Sequence, residues 1–68
     1  MRNYQMQCLK EFAKALNVSE REAEEIFDAY GVKEYLDVMY PVMAHNMTDP
    51  VVAITNLITW RGGGYLFA

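Results

Sequence analysis

Apolar side chains recur every three or four residues along most of this 68-residue chain, which is the spacing of one face of an α-helix. In the first such segment, residues 4–16, the apolar side chains of Leu9, Phe12 and Leu16 share one face. The polar side chains of the segment, Gln5 among them, are assigned to the opposite face. The pattern therefore predicts an amphipathic first helix.

The second segment has both a start signal and a stop signal. Ser19 is the predicted N-cap: its hydroxyl accepts from the amide of Glu22, and the Glu22 carboxylate bonds back to the amide of Ser19. Gly31 can adopt the left-handed conformation that ends a helix. We therefore predict a helix from about Glu20 to Tyr30. Its apolar face is formed by Ala23, Ile26, Phe27 and Tyr30.

The opposite face of this second helix is acidic. It carries the carboxylates of Glu20, Glu24, Glu25 and Asp28. A charged helix face of this kind is usually solvated, and we interpret it in that way. The alternative interpretation is a docking surface for a basic partner.

A third helix is predicted directly after the turn at Gly31, because the helical period continues through Val32 and Leu36. Pro41 lacks a backbone donor and disfavours helical geometry at the residue before it. The sequence therefore predicts that this helix ends or kinks near Tyr40.

The fourth predicted helix runs from about Pro50 to Arg61. Thr48 or Asp49 would cap it, with Pro50 in its first turn. Its apolar face consists of Val51, Ile54, Leu57 and Ile58. The density of β-branched residues leaves a strand as the alternative, but the start and stop signals favour a helix.

Three consecutive glycines, Gly62 to Gly64, follow the fourth helix. They lack the lysine, the hydroxyl and the flanking elements of a phosphate-binding loop, and we predict a flexible hinge. The division is then a helical domain over residues 1–61 and a hinge with an apolar tail over residues 62–68. We expect the tail to pack on its own domain, with docking on a partner as the alternative.

Composition suggests that this small domain meets another chain. Apolar residues make up 53% of it, and a core of this size rarely supplies more than about 3–5 kcal/mol without a disulfide, a metal or oligomerisation. The single cysteine, Cys8, excludes an intrachain disulfide. We therefore expect a protein partner or a homo-oligomer.

Charge and hydropathy exclude several other classes. The net charge is −3 and the six basic residues are scattered, which disfavours binding to nucleic acid. No run approaches the roughly 18 apolar residues of a membrane span, and the first residues lack the apolar core of a secretory signal. We expect a cytoplasmic protein.

The residues that could perform chemistry are few. His45 is the only histidine and lies far along the chain from Cys8, so neither a metal site nor a nucleophile with its base is indicated. We interpret Cys8 as a small buried hydrophobe. The sequence predicts no catalytic residue, no metal and no cofactor, and we expect that the protein is not an enzyme.

The pattern from Val18 to Tyr40, Val-Ser-x-x-Glu-Ala-x-x-Ile-Phe-x-x-Tyr-Gly-Val-x-x-Tyr-Leu-x-x-x-Tyr, resembles a family of small uncharacterised bacterial helical proteins. Members of that family tend to be acidic in the last helix, whereas residues 51–58 here have no charge. Such proteins are often encoded beside putative toxins that resemble ADP-ribosyltransferases. The resemblance implies an antitoxin-like or accessory partner role.

We therefore predict a small all-α bundle of about four helices with a glycine-hinged apolar C-terminal tail, acting as a non-catalytic protein-interaction module. The alternatives are a DNA-binding regulator of the helix-turn-helix type and a structural homodimer. Aromatic anchors dominate the energetics of interfaces, and the uncharged helix and tail hold several. The predicted contact residues are Ile54, Leu57, Trp60, Tyr65 and Phe67.

Overall fold

Four α-helices make up most of the computed structural model, which describes residues 1–67. They are α1 (Asn3–Leu16), α2 (Glu20–Tyr30), α3 (Val32–His45) and α4 (Pro50–Ile58). A wide helical turn (Thr59–Gly63) and a 3-10 turn (Gly64–Phe67) follow α4, and we call residues 59–67 the C-terminal turn. The described residues contain no strand, so the predicted all-α bundle is confirmed. None of their helices has the length and apolar character needed to cross a membrane.

The core receives side chains from all four helices. The rings of Phe12 in α1 and Phe27 in α2 are fully buried, with their centroids 5.3 Å apart. Leu36 of α3 and Ile54 and Ile58 of α4 are also fully buried. The amphipathic periodicity of the sequence therefore corresponds to a single shared core.

The predicted boundaries of α2 are confirmed. The Ser19 hydroxyl accepts from the amide of Glu22 at 3.1 Å, and Gly31 ends the helix in the left-handed region at φ 65°. The predicted return bond from the Glu22 carboxylate to the Ser19 amide does not occur among the described residues. Glu22 instead lines a groove on the surface of α2.

The helix end predicted near Tyr40 is wrong, because α3 continues through Pro41 to His45. A proline inside a helix costs about 3 kcal/mol, and packing on both sides of this one opposes that cost. Before the proline, the Tyr40 ring stacks on the Tyr4 ring of α1 with centroids 4.8 Å apart. After it, Met43 is buried in the core. The stacking of Tyr40 and the burial of Met43 together stabilise the helical conformation of α3 across Pro41.

The α-helix α4 ends at Ile58, and the backbone continues in the wider helical turn as far as Gly62, so the stop predicted after Arg61 is confirmed. The predicted glycine hinge, however, is a packed turn. Gly62 leaves helical geometry with φ 98°, and Gly63 is buried. Within the predicted tail, Leu66 and Phe67 pack against the core. The expectation that the tail packs on its own domain is confirmed for these residues, whereas Ala68 lies outside the described part of the chain.

Candidate interaction surface at the C-terminal turn

The structure separates the five predicted contact residues into an exposed pair and a packed group. The side chains of Trp60 and Tyr65 are 86% and 72% exposed. Leu57 and Phe67 are half-buried and pack against the core. Ile54 is fully buried, so its prediction as a contact residue is wrong: the helical face that it occupies covers the core. Trp60 and Tyr65 remain as the candidate surface residues.

Arg61 fastens the C-terminal turn to the end of α2. Its Nη1 donates a hydrogen bond to the backbone carbonyl of Tyr30, one of the carbonyls that a helix leaves without an internal partner at its C-terminus. The hydroxyls of Tyr30 and Tyr65 are 3.3 Å apart and hydrogen-bonded, which raises the pKa of Tyr30. Trp60 therefore lies on a segment that is held at two points.

Gly63 explains why the turn can approach α2 so closely. A Cβ atom at this position would lie 2.5 Å from Cγ2 of Ile58 and 2.6 Å from Cζ of Tyr30. Both distances are far shorter than a van der Waals contact. Only glycine lets the backbone rest directly against the tyrosine ring.

A shallow, open groove of about 300 Å³ lies between α2 and the 3-10 turn, and we call it the α2 groove. Sequence analysis missed it. Its lining residues are Glu22, Glu25, Ile26, Ala29, Tyr30, Tyr65 and Leu66. The α2 residues follow the i, i+3, i+4, i+7 spacing of one helix face, but the two residues from the 3-10 turn come from a distant part of the sequence. Only the tertiary fold brings the two sets together.

A polar cluster joins the start of α1 to the middle of α3, and sequence analysis missed this too. Gln5 was assigned to the solvent face but is buried, and its Nε2 donates to the Lys33 carbonyl at 3.1 Å and to Oδ1 of Asp37 at 2.9 Å. The Tyr4 hydroxyl also donates to Asp37, which raises the pKa of Tyr4. No buried polar side-chain atom of the described residues, those of the cluster included, lacks a hydrogen-bond partner. We interpret the cluster as a structural link between α1 and α3.

The two residues with potential chemistry have different environments. Cys8 is buried, and desolvation together with the nearby Glu11 charge raises its pKa to about 11. His45 is exposed at the end of α3. Within residues 1–67, no three His, Cys, Asp or Glu side chains are placed to share a metal ion. The thiol is therefore held in its unreactive, protonated form.

We expect Cys8 to resist alkylation in the folded protein. With a pKa of about 11, roughly one thiol in a thousand is ionised at pH 8, and burial blocks the reagent as well. Labelling by iodoacetamide, followed by mass spectrometry, should be at least about a hundredfold slower in buffer than in concentrated urea. Equal rates in the two conditions would contradict the burial of this thiol.

The exposed surface of α3 bears on the DNA-binding alternative. Lys33 is the only lysine or arginine of α3, and its ammonium contacts Glu24 at 3.0 Å and Asp28 at 2.9 Å. These two hydrogen-bonded carboxylates raise its pKa. Glu34 and Asp37 are exposed on the same helix. A helix of this charge offers phosphates little attraction, and binding to DNA stays the alternative interpretation, which a salt-dependent shift assay would test.

The fold and the C-terminal turn define a small all-α domain. Its exposed aromatic side chains, Trp60 and Tyr65, lie after the last helix. The chain belongs to the family described as Protein of unknown function (DUF3791), whose model matches residues 3–52. The resemblance to an uncharacterised family is thereby confirmed. The matched segment covers α1 to α3 and the beginning of α4, and it ends before Trp60 and Tyr65. No curated protein and no solved structure matches the chain.

Proposed function

We propose that this protein is a non-catalytic interaction module that binds a protein partner through its C-terminal turn. The observation that carries the proposal is the 86% exposure of Trp60 on a turn fixed by Arg61 and Gly63. Tryptophan and tyrosine are enriched among the residues that dominate binding energy. A turn that is already ordered loses less conformational entropy on binding than a flexible tail.

The biological role we propose is that of an antitoxin-like or accessory partner of a toxin in the same cell. It follows from the resemblance described above, since such proteins are often encoded beside ADP-ribosyltransferase-like toxins. The mechanism would be occlusion, in which the aromatic turn covers a functional surface of the partner. Occlusion depends on the complementarity of the two surfaces and requires no catalytic residue in the module.

A Trp60→Ala variant is expected to bind the partner at least about thirtyfold more weakly, as is typical of an interface hot spot. It should fold normally, because most of the removed surface is exposed. The partner is first identified by affinity capture and purified. Its affinity is then measured by titration with the wild-type protein and with the variant. Met47→Ala is the matched control, since Met47 is 91% exposed in the loop before α4. Equal losses in the two variants would contradict the proposal.

A homodimer is the second candidate, and one observation favours it. Val38 and Val42 lie one helical turn apart on α3 and are 71% and 47% exposed. This is an apolar strip that a second copy could cover. Light scattering on the purified protein separates the two candidates, because the interaction module is expected to be monomeric alone and to form a complex only with its partner.

A further inference from the structure

We propose that the α2 groove receives a basic amphipathic segment of the protein partner. An apolar side chain of that segment would lie between α2 and the 3-10 turn, and its arginine or lysine side chains would lie beside Glu22 and Glu25. The inference rests on the proposed function and adds to it the chemistry of the bound segment.

The floor of the groove is apolar and only partly covered. Ile26 and Leu66 are half-buried and Ala29 is exposed, and all three line the same concave surface. Tyr30 and Tyr65 also line it. At about 300 Å³, the volume is at the lower end of the roughly 300–1,000 Å³ of small-molecule sites. It is suited to one large side chain of a docked segment.

The charge at the edge of the groove determines which segment fits. Glu22 and Glu25 are exposed carboxylates, and no lysine or arginine lines the groove in the described part of the chain. Arg21 contacts Glu25 only at 4.0 Å, with both side chains largely in solvent, so the pairing is weak. A partner segment with arginine or lysine side chains would supply the positive charge that pairs with these two carboxylates.

Two further cations that contact α2 or its C-terminal end are already engaged within the domain. The Arg61 guanidinium donates to the Tyr30 carbonyl, and the Lys33 ammonium is paired with Glu24 and Asp28. The tyrosine rings add a second attraction for an incoming cation, because an arginine or lysine over an aromatic face is stabilised by the ring quadrupole. Carboxylates, tyrosine rings and an apolar floor together favour a basic amphipathic segment over an acidic or a purely apolar one.

The test uses a defined probe, a fluorescein-labelled helical peptide of about 14 residues with leucines at i, i+3, i+4 and i+7 and arginines elsewhere. A matched peptide has glutamate in place of every arginine. Fluorescence anisotropy measures the affinity of each for the full chain, and amide chemical shifts locate the contact. We expect the basic peptide to bind with shifts at Ile26, Ala29 and Leu66, more weakly as salt is added, and the acidic peptide not to bind.

Removing the two carboxylates tests the charge argument directly. The double variant Glu22→Gln with Glu25→Gln should weaken binding of the basic peptide by about three- to tenfold at low salt, the effect of two exposed charge pairs. The control is Glu11→Gln with Glu34→Gln, which changes the net charge equally at exposed positions outside the groove. Equal weakening by both variants, shifts outside the groove, or equal binding of the acidic peptide would overturn the inference.

The peptide experiments on the α2 groove and the Trp60→Ala experiment on the proposed function can give opposite results. If the basic peptide fails to bind while Trp60→Ala still weakens the natural partner, the α2 groove is not the site and the interaction module stands. If the peptide binds in the groove but Trp60→Ala leaves partner binding unchanged, the assignment of binding to the exposed Trp60 is wrong.

Discussion

Replacing Phe12 with alanine is expected to unfold the protein. The Phe12 ring is fully buried and contacts two other aromatic rings, Phe27 of α2 and, edge to face at a centroid distance of 6.2 Å, Phe67 of the C-terminal turn. Truncating a buried phenylalanine to alanine costs about 3–5 kcal/mol. That loss equals roughly the whole 3–5 kcal/mol that a core of this size supplies.

Circular dichroism and amide spectra provide the measurement for Phe12→Ala. We expect weak helical signal, poor amide dispersion and no cooperative thermal transition. Phe12→Leu is the control: it keeps most of the buried volume and should remain folded with a lower melting temperature. A cooperative transition for Phe12→Ala within a few degrees of wild type would contradict the placement of this ring at the junction of α1, α2 and the turn.

The second large effect is expected at Gly63. A methyl group there would overlap Ile58 and the Tyr30 ring, and overpacking of this kind typically costs about 1–3 kcal/mol. For a domain of this size, each kcal/mol lowers the melting temperature by roughly 4–8 °C. We therefore expect Gly63→Ala to lower the melting temperature clearly and to change the fluorescence of Trp60, because the turn must move away from α2.

Gly64→Ala is the matched control for Gly63→Ala. Gly64 has helical backbone angles, φ −59° and ψ −24°, and the atoms nearest to a Cβ there are Cγ2 of Thr59, at 3.2 Å, and two further Thr59 atoms at 3.9 Å. Its substitution should change stability far less. If the two variants melted at the same temperature as wild type, the glycines would be acting as the flexible hinge that the sequence suggests, and the packed turn would be wrong.

The parts of the fold that sequence predicts well are those determined by neighbours along the chain. The capping hydroxyl of Ser19 and the left-handed Gly31 place both ends of α2 through bonds to residues no more than four positions away. The helix end expected near Tyr40 does not occur, because the local effect of Pro41 is opposed by a distant contact, the stacking of Tyr40 on Tyr4.

The candidate site was predictable only in part, because it too depends on contacts between residues that are distant in the sequence. Trp60 and Tyr65 could be named as aromatic residues that follow the uncharged residues 51–58. The burial of Gly63, however, depends on Tyr30, more than thirty residues earlier. The burial of Gln5, in contrast, does have a local signal in the sequence. It lies at the i, i+4 and i+7 spacing with Leu9 and Phe12, so it occupies the face that packs against the rest of the bundle.

The central claim is that a protein partner is bound through the aromatic C-terminal turn. It is tested most directly by placing a photo-crosslinking amino acid at position 60, and in a separate variant at position 47, in the source cell. Mass spectrometry then identifies any adduct. We predict a single adduct with a second, different protein from position 60 and none from position 47. Adducts only between copies of this chain, or an adduct from position 47 and none from position 60, would contradict the account.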